Sequence, residues 1–322
     1  MKKIVTAIAC ILMITSCNTK QESKTVDSAS THTATMSELF PTPKVQIKTV
    51  GIYLYDGYSS LDAMGPYSVF THLMGSHVFF IAKQKGIVQD GSGLKVEVDT
   101  SIDEVKHLDV LLIPGGLNTT YQQTKDAEVL NWIRSIDSSS TYTTSVCTGA
   151  WILGAAGLLK DKEATTHWYG KKILAADYGA KIQDTRYTHS GKYWTSAGVS
   201  AGIDMSLALV NEIAGENYTK ATMLDMEYDP QPPFKGGSET NTDKTVVEGM
   251  RAMYDQSMQT ALHPELGFKD LKFDNPKDLV CGMPVKAGVA DTAYYKGKLY
   301  GFCSTECKNE FKKNPEGYLA KR

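Results

Sequence analysis

Residues 143–153 of the 322-residue chain read Thr-Thr-Ser-Val-Cys-Thr-Gly-Ala-Trp-Ile-Leu. The β-branched and small residues up to Cys147 are typical of a buried strand, and the residues after Gly149 are typical of a helix. Gly149 lets the chain turn directly from one into the other because glycine has no Cβ atom. The segment therefore predicts a strand–turn–helix unit that carries a cysteine in its turn.

The alternation of strand and helix patterns continues on both sides of this unit. Strands are predicted over residues 45–54, 77–82, 108–113, 142–146 and 193–196, and helices over 67–73, 126–138, 149–159, 202–214 and 242–262. Apolar runs such as 108–113 are typical of parallel strands that are covered on both faces. The pattern predicts a doubly wound α/β domain with a parallel sheet, in which ligands bind at the carboxyl ends of the strands.

Two interpretations of Cys147 are open at this level. A thiol beside a helix N-terminus is close to free N–H groups and to the positive end of the helix dipole, which favour a nucleophilic thiolate. The same arrangement, with serine, forms the nucleophile turn of α/β hydrolases. The alternative is an unreactive cysteine in a core strand rich in Thr and Val.

Several short motifs, in collinear order, resemble the ThiJ/PfpI family and within it the isonitrile hydratases. They are Leu-Asp-Ala-Met-Gly-Pro at 61–66, Ile-Pro-Gly-Gly at 113–116, Ser-Val-Cys-Thr-Gly at 145–149, Leu-Gly-Ala-Ala-Gly-Leu-Leu at 153–159, Ala-Thr-Thr-His-Trp at 164–168, Gly-Val-Ser-Ala-Gly-Ile-Asp at 198–204, and Glu-Tyr followed by Pro-Pro-Phe within 227–234. The resemblance covers about residues 46–260. It implies a flavodoxin-like sheet of the class I glutamine-amidotransferase type.

The resemblance also implies roles for single residues. Cys147 matches the nucleophile, Asp62 the acidic residue beside the sulfur, and Thr148 the residue after the nucleophile. Relatives that hydrolyse peptides or glutamine commonly carry His in place of Thr148, so threonine there argues against those reactions. Gly115 and Gly116, at a strand end, would offer backbone N–H groups to developing negative charge.

These roles predict a hydratase that adds water to an isonitrile, or a similar small electrophile, and forms an N-substituted formamide. Asp62 would move the protons if partial burial raised its pKa. The alternative for Asp62 is a cap of the helix after Gly65 and Pro66. His167 is interpreted as a packed or supporting residue rather than a base, and Asp204 as an acid in the first turn of a helix.

A second group of cysteines lies near the end of the chain, where residues 278–318 resemble a YHS domain. Cys303 and Cys307 are four residues apart, and Cys281 comes from an earlier loop, so three thiolates can face one ion. Soft thiolates favour copper(I) or zinc, with Met283, water or substrate in a fourth position. The alternatives are a disulfide plus one free thiol, or a metal-free domain packed on its aromatic residues.

The first residues predict export. An apolar run at 4–14 follows two lysines and is too short to span a bilayer, and Ile-Thr-Ser-Cys at 14–17 resembles a lipobox. Cleavage after Ser16 and acylation of Cys17 would anchor the protein to a membrane of the bacterial cell envelope, periplasmic or outer-membrane. The alternative is an ordinary secretory signal with an incidental cysteine.

Composition completes the predicted organisation. The chain is 42% hydrophobic and its formal net charge is -2, so it gives no reason to expect a nucleic-acid partner. We predict a signal peptide at 1–16, a flexible tether at 17–45, the α/β domain at 46–262, a linker at 263–275 and the YHS-like domain at 276–322. The predicted partners are a small-molecule substrate, the membrane and a second copy in a homodimer. A metal-handling or redox-sensing lipoprotein is the alternative function.

Overall fold

A computed structural model describes residues 35–262, 271–285 and 288–320. The predicted signal peptide, most of the tether and residues 263–270 of the predicted linker lie outside these ranges. The α/β domain is built on six strands in the order β2-β1-β5-β6-β10-β9. The strands of this sheet are β1 Thr49–Leu54, β2 His77–Ala82, β5 Val110–Ile113, β6 Tyr142–Val146, β9 Tyr187–Ser190 and β10 Tyr193–Ser196.

Five of the six strands are parallel, and only β9 runs antiparallel to its neighbour β10. Strands β5 and β6 are buried along their whole length, as the apolar run at 108–113 predicts. The carboxyl ends of β1, β5, β6 and β10 therefore meet at one edge of the sheet. The predicted doubly wound α/β fold is confirmed.

Helices surround the sheet in groups that pack against one another. They are α1 Ser60–Phe70, α2 Asn118–Gln123, α3 Ala127–Asp137, α4 Gly149–Ala155, α5 Lys171–Tyr178, α6 Ala201–Ala214, α7 Glu216–Asp225 and α8 Lys244–Leu262. Helix α1 packs on α6, which also packs on α7, while α4 contacts α2, α3 and α5. The side chain of Asp126 caps α3 by accepting hydrogen bonds from the N–H groups of Glu128 and Val129.

Helix α1 differs from its prediction. It begins at Ser60, seven residues before the predicted start at 67, and it contains Pro66. A Cβ atom on Gly65 would lie 2.9 Å from the side chain of Ile203 on α6. This close packing of two helices outweighs the local cost of a proline inside a helix. The shift in boundary places Asp62 in the first turn of α1.

Five short strands were not predicted: β3 Gly86–Gln89, β4 Lys95–Val98, β7 Glu163–Ala164, β8 Lys181–Ile182 and β9 Tyr187–Ser190, the antiparallel edge strand of the main sheet. Strands β3 and β4 form an antiparallel hairpin, and the Asp90 carboxylate accepts the N–H groups of Ser92, Gly93 and Leu94 in its turn. Each of these five strands spans only two to four residues, at or below the shortest length over which alternation indicates a strand.

The C-terminal domain is a small hairpin with two helices: β11 Asp291–Tyr295, β12 Lys298–Phe302, α9 Thr305–Lys313 and α10 Pro315–Leu319. Its buried core contains Ala293, Tyr300, Phe302 and Phe311. Such a small core gives the domain little stability of its own, and a bound metal ion would add to it. Across the described residues, each helix is either too short or too polar to cross a bilayer.

We predict that Gly149→Ala destabilises the α/β domain by about 1–3 kcal/mol. A Cβ atom there would lie 2.2 Å from the carbonyl oxygen of Ile113, which is backbone and cannot rotate away. Gly249→Ala on α8 is the matched control, because nothing lies within 4 Å of a Cβ atom at that position. It should raise stability by up to about 1 kcal/mol. Urea unfolding of both variants tests this, and equal stabilities would contradict the close approach.

Candidate functional site

Cys147 lies in the turn between β6 and α4 with a positive φ of 57°. This backbone conformation is strained for a residue with a side chain and persists only where its surroundings hold it. The N–H group of Cys147 donates to the carbonyl of Ala197 at 2.8 Å, and its own carbonyl accepts the Thr166 hydroxyl at 2.6 Å. These contacts fix the thiol at the edge of the sheet where the strand ends meet.

Asp62 projects from the first turn of α1 and is fully buried. Its Oδ2 atom accepts the N–H group of Gly115 at 3.1 Å, whereas Oδ1 has no hydrogen-bond partner among the described residues. Burial raises the pKa of Asp62 to about 7, although the Gly115 N–H and the Cys147 thiol act in the opposite direction. The carboxyl group contacts Gly115 instead of capping α1, so the capping alternative is wrong.

The surroundings of the Cys147 thiol favour its protonated form. Burial raises its pKa well above the ordinary value, and the negative charge of Asp62 raises it further, while the N–H and hydroxyl groups of Thr148 act to lower it. Burial thus acts against the preformed thiolate that the position at a helix N-terminus leads one to expect. A thiolate would form here by transfer of the thiol proton, and the Asp62 carboxyl group is the adjacent acceptor.

Thr148 organises the loop that follows β5. Its Oγ1 atom accepts the N–H groups of Gly116 at 3.2 Å and of Leu117 at 3.1 Å. The Thr148 hydroxyl in turn donates to Thr120, Thr120 donates to Tyr55, and the Tyr55 hydroxyl donates to the carbonyl of Pro114. Thr148 is thus a positioning residue in this structure.

The predicted oxyanion role of Gly115 and Gly116 does not agree with these contacts. The N–H of Gly115 donates to Asp62 and that of Gly116 donates to Thr148. Both donors are already used within the protein, so neither is free to bind a negatively charged substrate atom. The N–H of Gly115 instead stabilises the ionised form of Asp62.

A cavity of about 320 Å³ opens above Cys147. Its walls come from the ends of several strands and from the hairpin turn: Gly57, Tyr58, Ser59, Ser60, Asp90, Gly91, Ser92, Gly116, Leu117, Cys147, Thr148, His167, Val199 and Tyr254. The Nδ1 atom of His167 is buried without a partner among the described residues, and burial lowers the pKa of this imidazole to about 4. His167 is therefore a neutral wall residue near neutral pH.

Asp204 lies away from the thiol, in the first turn of α6, as expected. Its carboxylate forms an ion pair with Arg186 and accepts the hydroxyl of Tyr228. Tyr254, on α8, was missed, although the apolar spacing Val247, Tyr254 and Met258 marks one face of that helix. The polar character of the rest of the helix hides this signal.

The three C-terminal cysteines converge as predicted. The Sγ atoms of Cys281 and Cys303 are 3.2 Å apart, and those of Cys303 and Cys307 are 3.7 Å apart. Together with a carboxylate oxygen of Asp278, these sulfurs lie within 4.8 Å of one another. Burial raises the pKa of Cys303 strongly and that of Cys307 to about 11. The convergent soft donors fit a thiophilic metal ion, which would offset the charge of the thiolates.

Asp278 was not assigned a role from the sequence. Its Oδ1 atom accepts the N–H groups of Val280 and Cys281, and its Oδ2 atom accepts the N–H of Cys303 at 2.8 Å. One buried carboxylate thus joins the two loops that carry the cysteines. An aspartate three residues before a cysteine is a local turn signal that could have indicated it.

Comparisons with known proteins agree with this architecture. Residues 48–212 match the DJ-1/PfpI family, and residues 277–322 match the YHS domain. The chain is 36% identical to isonitrile hydratase from Pseudomonas putida over 202 residues, which cover 63% of this chain and 88% of that protein. It is 28% identical over 131 residues to the HTH-type transcriptional regulator CdhR from Pseudomonas aeruginosa, covering 40% of this chain and 38% of the regulator.

Among solved structures, a ThiJ/PfpI family protein from Pseudomonas syringae superposes with a TM-score of 0.66 at 32% identity, covering 70% of this chain and 93% of that one. The fold of DJ-1beta from Drosophila melanogaster is also similar, with a TM-score of 0.52 at 20% identity, covering 56% of this chain and 98% of that one. The resemblance predicted from the motifs is confirmed. The chain belongs to the DJ-1/PfpI family and carries a YHS domain at its C-terminal end.

Proposed function

We propose that the α/β domain is an isonitrile hydratase-like lyase. The observation that carries the proposal is the pairing of Cys147 with a fully buried Asp62, whose pKa is raised to about 7 and whose Oδ1 atom has no other partner among the described residues. A carboxyl group that titrates near neutrality can both take and return a proton. The identity of 36% to an isonitrile hydratase supports this reaction over others found on the fold.

The first half of the reaction uses the thiol. The Sγ–H bond of Cys147 breaks, its proton passes to Oδ1 of Asp62, and the sulfur forms a bond to the terminal carbon of the isonitrile. Asp62 then gives the proton to that carbon, which leaves a neutral thioimidate, R–N=CH–S. Once this exchange is complete the sulfur is neutral, and Asp62 has returned to the carboxylate form in which it began.

The second half uses water. The water oxygen bonds to the thioimidate carbon and loses a proton, while the nitrogen gains one, giving R–NH–CH(OH)–S. The C–S bond then breaks with its electron pair returning to sulfur, and the hydroxyl proton is transferred through Asp62 back to Cys147. The sum is one isonitrile and one water converted to one N-substituted formamide, without an oxidant or reductant.

The two reacting residues can be tested separately. We predict that Cys147→Ala lowers formamide production from a simple alkyl isonitrile by at least about 10⁴-fold, since it removes the nucleophile. Asp62→Asn should lower it by about 10²–10⁴-fold because it keeps the shape but loses the proton carrier. Cys281→Ala and Asp177→Asn are matched controls at other sites and should keep wild-type rates. Formamide is quantified by mass spectrometry.

A wild-type protein that is inert with every isonitrile tried would overturn the hydratase. A metal-handling or redox-sensing lipoprotein would then be the better account, and stoichiometric metal binding by the same sample would favour it. Normal activity of Cys147→Ala would contradict the covalent mechanism directly.

The pH profile follows from the direction of the Asp62 shift. Only the ionised carboxylate can accept the thiol proton, so kcat/KM should rise with pH through about 7 and then level off. Asp62→Asn should lose this step and show a flat profile at its lower rate. Initial rates between pH 5 and 9 measure both, and a wild-type step near the ordinary aspartate pKa would contradict the raised value.

We also propose that the YHS domain binds one copper(I) or zinc ion through Cys281, Cys303 and Cys307. When bound, such an ion would supply a structural crosslink between the loop after Asp278 and the start of α9. The support is the convergence of three sulfurs and one carboxylate oxygen within 4.8 Å.

Metal content of purified protein tests this proposal. Wild type should hold about one ion per chain, Cys303→Ala should lose it, and Cys147→Ala should keep it. Elemental analysis measures all three. Equal metal content in the wild type and Cys303→Ala would exclude this cluster as the binding site.

The proposed setting of the enzyme is the bacterial cell envelope. The lipobox-like residues 14–17, which lie outside the described part of the chain, support a lipid anchor at Cys17 followed by a tether. A homodimer remains our proposal for the assembled state.

A further inference from the structure

Helix α8 contributes a wall residue to the candidate active site. It spans Lys244–Leu262 and so lies after residues 48–212, the part that matches the DJ-1/PfpI family. Its Tyr254 nevertheless lines the cavity together with Cys147, Leu117 and His167. A residue that follows the matched segment thus forms part of the wall around the Cys147 sulfur.

Contacts along α8 hold this wall in place. Asp255 accepts the hydroxyl of Tyr169 at 2.9 Å, and the guanidinium of Arg251 lies 5.0 Å from the centre of the Trp168 ring. Met258, one turn after Tyr254, is completely buried. The helix therefore contacts the segment that follows β7 through a hydrogen bond and a cation–π interaction.

A further contact joins α8 to the loop beside the thiol. The side-chain amide of Asn118, at the start of α2, donates to the carbonyl and hydroxyl oxygens of Ser257 at 2.8 and 2.9 Å. Asn118 directly follows Leu117, whose N–H is held by Thr148. The position of α8 is thus fixed relative to the residue next to Cys147.

The ring of Tyr254 is supported by three aromatic neighbours. Its centroid lies 5.4 Å from His167, 5.6 Å from Trp168 and 5.1 Å from Tyr169. These distances are those of edge-to-face and tilted aromatic pairs, which resist displacement of the ring. Burial and the nearby Cys147 raise the pKa of Tyr254, so its phenol stays neutral and adds no charge to the cavity.

We propose that Tyr254 is the specificity-determining residue of the hydratase, because its ring limits the size of the substituent on the isonitrile nitrogen that the cavity can accept. The inference rests on the proposed function for its substrate. With the isonitrile carbon at Cys147, the substituent must extend into the remainder of a cavity of about 320 Å³. That volume is at the small end for ligand sites and accommodates a compact apolar or aromatic group, with Tyr254 as a rigid boundary.

Alkylation of Cys147 tests the boundary without any need for hydratase activity. The reagents are iodoacetamide, N-benzyl-iodoacetamide and N-naphthyl-iodoacetamide, and mass spectrometry of the Cys147 peptide gives each rate on the full-length protein. Wild type should react more slowly as the reagent grows. Tyr254→Ala should react at least about tenfold faster with the naphthyl reagent and within about twofold with iodoacetamide.

Two variants provide the controls. Tyr254→Phe keeps the ring and should behave like wild type, whereas Tyr294→Ala removes an exposed tyrosine of the YHS domain and should change nothing. If Tyr254→Ala is poorly folded, Tyr254→Leu keeps more of the packing and should show the same selective gain. Unchanged size dependence in the folded variant, or equal acceleration of all three reagents, would overturn the proposal.

Isonitriles of increasing size provide the second readout. Tyr254→Ala should lower KM for a bulky isonitrile by about tenfold and leave kcat for a small one within about twofold of wild type. Loss of kcat for every substrate would contradict a role in specificity. If no protein forms formamide, the hydratase proposal fails, but the alkylation rates still decide whether Tyr254 bounds the cavity.

Discussion

Burial of the Asp62 carboxyl group against Cys147 is the constraint on which the rest of the site depends. An ionised carboxylate is costly in a dry interior, so the group is shifted toward its neutral form and becomes able to exchange a proton near neutral pH. Placing it there requires α1 to begin at Ser60 and to pack closely on α6 through Gly65. It also requires the N–H of Gly115, which keeps the ionised form accessible.

The parallel sheet positions Cys147 beside the loop that contacts Asp62. The carboxyl ends of the parallel strands meet at one edge, which brings the loop after β5 and the turn after β6 to the same place. Thr148 then ties these two segments together by accepting the N–H groups of Gly116 and Leu117. The strained backbone of Cys147 is held by hydrogen bonds to Ala197, which follows β10, and to Thr166, so the fold and the thiol position depend on each other.

The sequence predicts the parts of this site that have strong local signals. Strands at 77–82, 142–146 and 193–196 agree with the structure to the residue, and the three C-terminal thiols converge as their spacing predicts. Effects that depend on tertiary contacts could not be predicted from the sequence. Close packing at Gly65 allows Pro66 inside a helix, desolvation reverses the expected shift of the Cys147 pKa, and Tyr254 reaches the cavity from a distant helix. Each of these depends on what surrounds a residue in space.

A direct titration of Asp62 is the sharpest test of the central claim that burial makes this group the proton carrier. Protein labelled with ¹³C at aspartate side chains would be followed by NMR between pH 3 and 9, with Asp62→Asn used to assign the resonance. The account predicts a midpoint of about 7 for the Asp62 carboxyl carbon. A midpoint near 4, the ordinary value for aspartate, would contradict it.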